Sequence, residues 1–328
     1  MEKIREYKYD NIKAILIFCV VFAHLLKILN GDTSNKIYIF IYTFHMPIFV
    51  YISGYFSKGD MKSIAKFTYI YLIWQTLFYL FDVIVLRMNI KLSFTVPNWT
   101  LWYIFAMIFW NLIIKFLDKI LDNNYLYILI ISIIISLLAG FCDEIEYMFS
   151  ASRIITFFPY FLLGYINKHI KTNSFKINKY KNWIIGISLI ITITYFLLNI
   201  NIIKPYWLYG SYSYKMGGYD MLFKSMWIIL SLIELYIICK YIPNKKIKII
   251  SNIGANTLTV YLLHSLVVKL LKRYFINLFF YGEIINIMIM VIIACIILLM
   301  FGNEFVKNKI IYLIDLNKLK EKLIGRSN

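Results

Sequence analysis

Apolar runs of membrane-crossing length recur along this sequence, separated by short polar stretches. A helix needs about 20 predominantly apolar residues to cross a bilayer. Ten segments come near that length: 11–29, 36–57, 64–87, 99–117, 124–141, 153–168, 182–200, 219–241, 253–272 and 284–305. The pattern predicts an all-α, polytopic integral membrane protein with about ten transmembrane helices, forming one transmembrane domain over 1–328. The polar breaks leave no room for a soluble domain. The longest, 201–218, has KPYWLYGSYSYKMGG at its core. No internal repeat is visible. The first and sixth segments are interrupted by polar residues, which suits helices shielded by neighbours rather than by lipid.

The N-terminus begins like a secretory leader, basic and then apolar. Its apolar core runs into His24 and Lys27 without a small-residue cleavage site, so it reads as a retained first helix. A net charge of +18 raises the question of nucleic acid. Cytoplasmic loops of membrane proteins collect Lys and Arg, and that explains the charge better. With the N-terminus inside, the inner segments hold most of the basic residues. Among them are Lys3, Arg5, Lys58, Lys62, Lys66, Lys115, Lys119, Lys171, Lys176, Lys179, Lys245, Lys246 and Arg326. The acidic cluster Asp143, Glu144, Glu146 falls outside. Both termini are therefore expected in the cytoplasm, with no nucleic-acid partner. Cys19, Cys142, Cys239 and Cys295 are scattered without CxxC spacing, so neither a disulfide nor a metal site is expected. Richness in Ile, Lys, Asn and Tyr looks like an AT-rich genome. A multi-pass protein of a bacterial cell membrane is the expectation.

Residues 9–27, YDNIKAILIFCVVFAHLLK, hold two titratable groups in one apolar run. Lys13 and His24 lie eleven steps apart, about 20° past three full turns and about 16 Å along a helix. They share a stripe, with Lys13 near the cytoplasmic boundary and His24 deep. Asp10 is one turn before Lys13 and in reach of it. On the bland reading Lys13 snorkels and His24 hydrogen-bonds a neighbouring helix. On the sharp one the stripe lines a pore, with a cation at its mouth and a general base inside.

The same stretch resembles the first helix of the acyltransferase family 3 membrane proteins. Their signature is Arg or Lys, ten residues, then His, often with Asp three before the basic residue. Asp10, Lys13 and His24 fit it. TFHMPIFVYISGYF at 43–56 is similar to the family's second helix. LWYIFAMIFW at 101–110, RIITFFPYFLLGY at 153–165 and GANTLTVYLLH at 254–264 resemble later segments in the family's order. The likeness covers nearly the whole chain. It is strongest to the short members of the fucose 4-O-acetylase-like and polysaccharide O-acetyltransferase groups. Relatives often carry Arg after the second helix, where this chain has Lys58, Lys62 and Lys66.

The resemblance implies transfer of an acyl group, usually acetyl, from cytoplasmic acyl-CoA to a hydroxyl of an extracytoplasmic or membrane-associated glycan. The acyl-CoA is a co-substrate, and no cofactor is bound permanently. The partners implied are membrane lipid and a glycan or lipid-linked sugar; nothing speaks to oligomeric state. His24 takes the base role, with Lys13 beside it on the stripe. Lys58, Lys62 and Lys66 recur every four residues and form one cationic ridge if helical, a candidate for the donor's phosphates. A plain positive-inside cluster gives the same pattern.

Supporting candidates are Asp10, His45 beside Pro47, Arg153 and His264; His45 and Arg153 each have a structural reading of equal weight, and His264 falls at roughly the depth of His24, which makes contact between the two a hypothesis. Proline at 47 breaks a helix ladder and can open backbone groups to a cavity. Asp82 and Glu234 are intramembrane carboxylates able to orient a histidine, and His169 reads as a solvated loop residue. Trp99, Trp102 and Trp207 are acceptor-side aromatic candidates, although an interfacial belt explains them more cheaply. A transporter or flippase for a lipid-linked glycan, or a non-catalytic component of surface-polymer assembly, is the alternative. Neither gives a reason for the Lys13–His24 spacing.

Overall fold

We describe the protein from a computed structural model covering residues 6–29, 31–145, 150–169, 181–275 and 281–324. Lys3, Arg5, Lys171, Lys176, Lys179, Arg326 and Glu146, which entered the charge reading, lie outside the described residues. Regular structure among the described residues is entirely helical. The order is α1 (Tyr7–Leu26), α2 (Asp32–Phe56) and α3 (Met61–Leu80), which runs into a π-helical turn at Phe81–Val85. Then come α4 (Trp102–Leu138), α5 (Ala151–His169), α6 (Lys181–Asn199), α7 (Tyr214–Gly217) and α8 (Met221–Tyr241). The chain ends in α9 (Lys248–Ala255), α10 (Thr257–Tyr274), α11 (Glu283–Phe301), α12 (Glu304–Lys309), α13 (Ile311–Ile314) and α14 (Leu316–Ile324).

Seven stretches are long and apolar enough to cross a membrane: Tyr7–Leu26, Asp32–Phe56, Met61–Val85, Trp99–Asp118, Asn124–Phe141, Met221–Tyr241 and Glu283–Phe301. Each coincides with a predicted segment. The other three differ. Segment 153–168 falls on α5, where Arg153, Lys168 and His169 dilute the apolar run. Segment 182–200 falls on α6, whose apolar part Ile185–Asn199 is shorter. Segment 253–272 is not one helix, because α9 and α10 meet at a 78° bend. Asn256 makes the bend: its backbone leaves the helical region and its Nδ2 donates to Asn252 O at 2.9 Å. A short amide side chain competes with helical backbone bonding in this way.

α4 carries two candidate spans, and contacts with α5 show how. Trp110 Nε1 donates to Ile154 O at 2.9 Å, and Ser136 Oγ donates to Thr156 O at 3.3 Å. Ile154 and Thr156 are two residues apart, whereas residues 110 and 136 would stand about 39 Å apart on a straight helix. The chain therefore folds back within α4, in the region of the predicted polar break.

The chain divides into two compact units. The first comprises Met1–Asn35, Asp60–Phe109 and Ile242–Asn328. Here α1 packs against α9, α10 and α11. A Cβ on Gly254 would lie 1.8 Å from Asp10 O, so α9 meets the α1 backbone at a point only glycine fits. Asn11 fastens the same end, donating to Pro243 O and Lys245 O and accepting from Ser251 Oγ. On α3, Tyr69 OH and Trp74 Nε1 donate to Tyr312 O and Leu313 O, which docks α13.

The second unit comprises Lys36–Gly59 and Trp110–Tyr241. Its α2 and α5 cross at two glycines. A Cβ on Gly54 would stand 1.9 Å from Phe161 O, and one on Gly164 would stand 2.0 Å from Tyr51 O. Small residues permit such close approach where lipid gives helices no hydrophobic reason to associate. Pro47 does not break α2. Its missing N–H frees the carbonyl of Thr43, four residues earlier. That oxygen accepts from Trp227 Nε1 at 3.0 Å, so the freed group faces a packed indole and no cavity.

Buried Lys224 and Tyr214 close the end of α4. Lys224 Nζ donates to Ser136 O at 2.6 Å and Thr156 Oγ1 at 3.2 Å, and Tyr214 OH donates to Leu137 O at 2.7 Å. Helices leave their last carbonyls unpaired, and a cation suits that end. Lys224→Met is expected to cost about 2 kcal/mol, the worth of charged hydrogen bonds lost from a buried site. A thermal unfolding midpoint equal to the parent's in detergent would count against this capping role.

Candidate active site

The first unit brings together residues from three separate parts of the sequence. His24 lies in the last turn of α1 and is half-buried. Its ring stacks on that of His264, from α10, with centroids 5.5 Å apart and planes at 23°. Trp99 packs against His24 in a T-shaped contact at 4.7 Å. His264 is fully buried, and its Nδ1 lies 3.0 Å from Val260 O. A carbonyl only accepts, so Nδ1 carries the hydrogen and Nε2 is left as an acceptor. That Nε2 is buried and has no hydrogen-bond partner among the described residues. Such an orphan is uncommon and marks a place where a polar group has a use.

The Tyr261 ring lies 6.0 Å from that of His264 and belongs to a small hydroxyl cluster. Thr100 Oγ1 and Ser265 Oγ are 2.8 Å apart, and Tyr261 OH donates to Thr100 O. Tyr261, His264 and Ser265 sit within about one turn of α10. At the other end of α1, Lys13 pairs with Asp10 at 3.0 Å. Because α1 is one unbroken helix, Lys13 and His24 keep the shared stripe that the spacing implies.

The other candidates lie elsewhere. The expected ridge of three lysines does not form. α3 begins at Met61 with Asp60 as its N-cap, accepting from Ser63 N at 2.8 Å. Gly59 takes a left-handed φ of 58°, so Lys58 lies before the helix and belongs to the second unit. Lys62 and Lys66 remain together on the first turns of α3, both exposed. Asp82 orients no histidine. It sits in the π-helical turn and binds Lys269 Nζ with both oxygens at 2.7 Å. Trp102 follows the Trp99–Leu101 turn and is partly buried.

His45, Arg153, Trp207 and Glu234 belong to the second unit. His45 is buried, with Nδ1 at 2.7 Å from Ile41 O and its ring 4.4 Å from Tyr42. Tyr38 OH donates to Tyr209 OH at 2.8 Å. Burial raises the Tyr209 phenol above the ordinary tyrosine range, against the Tyr38 hydrogen bond and the nearby Arg153 charge, so it stays a neutral hydroxyl. Arg153 reaches Ser211 Oγ at 3.5 Å. Glu234 accepts from Thr43 Oγ1 at 3.0 Å and faces no histidine through that bond. Trp207 is no exposed platform: its indole is buried against Tyr219 and Phe223, and its N–H is spent on Gly217 O. The aromatic loop of 201–218 thus packs inward at Trp207 and Tyr214, and Tyr219 just after it is buried too. His169 ends α5, exposed, with Nε2 at 2.8 Å from Ser57 O, so it is a helix residue and not a loop one.

Sequence reasoning missed Lys269, Asn98, Gln75, Thr100, Tyr261 and Ser265. Tyr261 and Ser265 had a signal in the YLLHS run around His264. Lys269 had one as a cation well inside an apolar helix.

Seven stretches of crossing length mark a multi-pass membrane protein, and its first unit holds a stacked imidazole pair. The chain belongs to acyltransferase family 3: the family's model, described as an acyltransferase domain, matches residues 6–301. Among characterised proteins, it is similar to nodulation protein NolL of Sinorhizobium fredii, with 38% identity over 62 residues, 17% of each chain. Nodulation protein NolL of Mesorhizobium japonicum is 40% identical over 60 residues, 17% of this chain and 16% of its own. The match thus spans about a sixth of these relatives. No solved structure matches the chain.

Proposed function

We propose that the protein moves an acetyl group from cytoplasmic acyl-CoA to a hydroxyl of an extracytoplasmic or membrane-associated glycan, with His24 as general base. The observation that carries this is the stacked His24–His264 pair beside Trp99. A half-buried imidazole there has an acceptor-only neighbour, an aromatic face and a family in which acyl transfer is the chemistry. His24 takes the proton of the attacking hydroxyl as its oxygen bonds to the thioester carbonyl carbon. The tetrahedral intermediate collapses, the carbon–sulfur bond breaks, and the proton passes to the leaving thiolate. His264 Nε2 offers a second acceptor for the sugar. Lys13, held by Asp10, and the exposed Lys62 and Lys66 supply positive charge for the anionic donor.

We also place ten crossings in a bacterial cell membrane, counting α5, α6 and α10 with the seven apolar stretches, and both termini in the cytoplasm. The lysine distribution supports this side assignment. The test is transfer of isotope-labelled acetyl from acetyl-CoA to glycan in membrane vesicles with and without the protein. Label that never leaves the donor in either preparation overturns the reading. Lys62→Glu with Lys66→Glu is expected to raise KM for acetyl-CoA about tenfold with kcat little changed, the signature of lost donor binding. An unaltered KM would remove the donor role from this pair.

A further inference from the structure

The segment between α3 and α4 is irregular, yet buried side chains hold it at many points. Gln75 Nε2 donates to Ser93 O and Val96 O at 2.5 and 3.0 Å, and Gln75 Oε1 accepts from Asn98 N at 2.9 Å. Tyr71 OH donates to Phe94 O at 3.0 Å. Asn98 Nδ2 donates to Asp82 Oδ2 at 2.7 Å, and Lys269 Nζ donates to Asn98 Oδ1 at 2.9 Å as well as to Asp82. Asp82 and Lys269 are mostly buried, at 4% and 14% side-chain exposure. An ion pair at such depth is costly unless each partner is satisfied, and here Asn98 completes it.

The residue after Asn98 is Trp99, with a left-handed φ of 40°. A bulky residue in that region stores strain of about 1–3 kcal/mol and persists only where its surroundings over-determine it. Trp99 is only partly covered, at 39% exposure, and its ring packs on His24. The strained residue thus sits next to a buried clamp and one ring contact from the proposed base.

We propose that the Asp82–Lys269–Asn98 clamp is a positioning device that sets Trp99 against His24, and that the indole seats the acceptor's sugar ring beside the imidazole. The second half rests on the proposed acyl transfer to a glycan; the first does not. The open indole face suits the apolar face of a pyranose. The clamp fixes it from the α3 and α10 sides at once. Asp82, Lys269, Asn98 and Gln75 are positioning residues, and none of them contacts the reacting atoms.

The test reads histidine modification by diethyl pyrocarbonate on the full-length protein in detergent, resolved by mass spectrometry. Trp99→Gly, Asp82→Asn and Lys269→Gln are each expected to raise His24 labelling about threefold by local release. Buried His264 stays unlabelled, and Lys269→Arg restores much of the protection. Labelling that rises equally at His24 and His264 with a lower melting point means a general structural role and overturns positioning. Unchanged His24 labelling overturns it too.

A second arm uses acetyl-CoA with simple methyl glycosides as acceptors. Trp99→Gly is expected to raise KM for the glycoside about tenfold with a smaller loss in kcat, and Trp99→Phe to recover part of it. An unchanged KM overturns the sugar-seating role. If the parent transfers acetyl to no glycoside while the footprint behaves as expected, the reaction assignment falls and the clamp stands.

Discussion

Replacing His24 with alanine is expected to lower acyl transfer by about 10²–10⁴-fold, the worth of a positioned general base. The variant should still reach the membrane in normal amount, because His24 is half-buried at the end of α1 and its neighbours are rings. The measurement is labelled acetyl incorporated per unit of membrane-inserted protein. His264→Ala is the companion. It removes the buried acceptor Nε2 and opens a void next to His24, so it should lower both transfer and thermal stability. A transporter or a passive assembly component predicts full tolerance of His24→Ala. Transfer at the parental rate would move the chemistry away from the imidazole pair altogether.

Gly164→Leu is expected to damage the fold severely. Even the first carbon of a new side chain meets Tyr51 O at 2.0 Å, and Tyr55 N is also within 3 Å. Backbone atoms on a packed helix cannot swing aside as a flexible side chain can. The helices must separate, and overpacking of this kind costs about 3 kcal/mol or more. Separation also strains the α2–α5 tethers at Asn167 to Tyr51 OH and Lys168 to Tyr55 OH. The readout is the fraction of monodisperse protein after solubilisation. Recovery equal to the parent's would show that the crossing is looser than its geometry.

What the sequence discloses follows from what is local. Apolar length is local, so the seven stretches of crossing length are legible. The Lys13–His24 stripe is legible because a helix has a fixed period. The fold-back in α4 is readable from a polar break, even though the backbone stays helical there. Legibility fails where a contact joins distant residues. Nothing local pairs Asp82 with Lys269, whereas counting from the helix ends sets His264 level with His24 and leaves only their stacking to the structure. It also fails where single residues override pattern: Asn256 bends a run that hydropathy joins, and Gly59 with Asp60 starts α3 after Lys58. The last case carried its own warning, since Gly followed by an Asp cap is a helix-start signature. Trp99 is the least legible, because no propensity puts tryptophan in a left-handed turn.

The bond between the Trp227 indole and the Thr43 carbonyl has a historical consequence. Proline at 47 leaves an acceptor without its helical donor, and the buried tryptophan of α8 supplies one. Losing the indole leaves that oxygen stranded in a dry interior. Losing the proline restores a helical donor to the same oxygen, whose second lone pair still serves the indole. The tryptophan is therefore the less replaceable of the two.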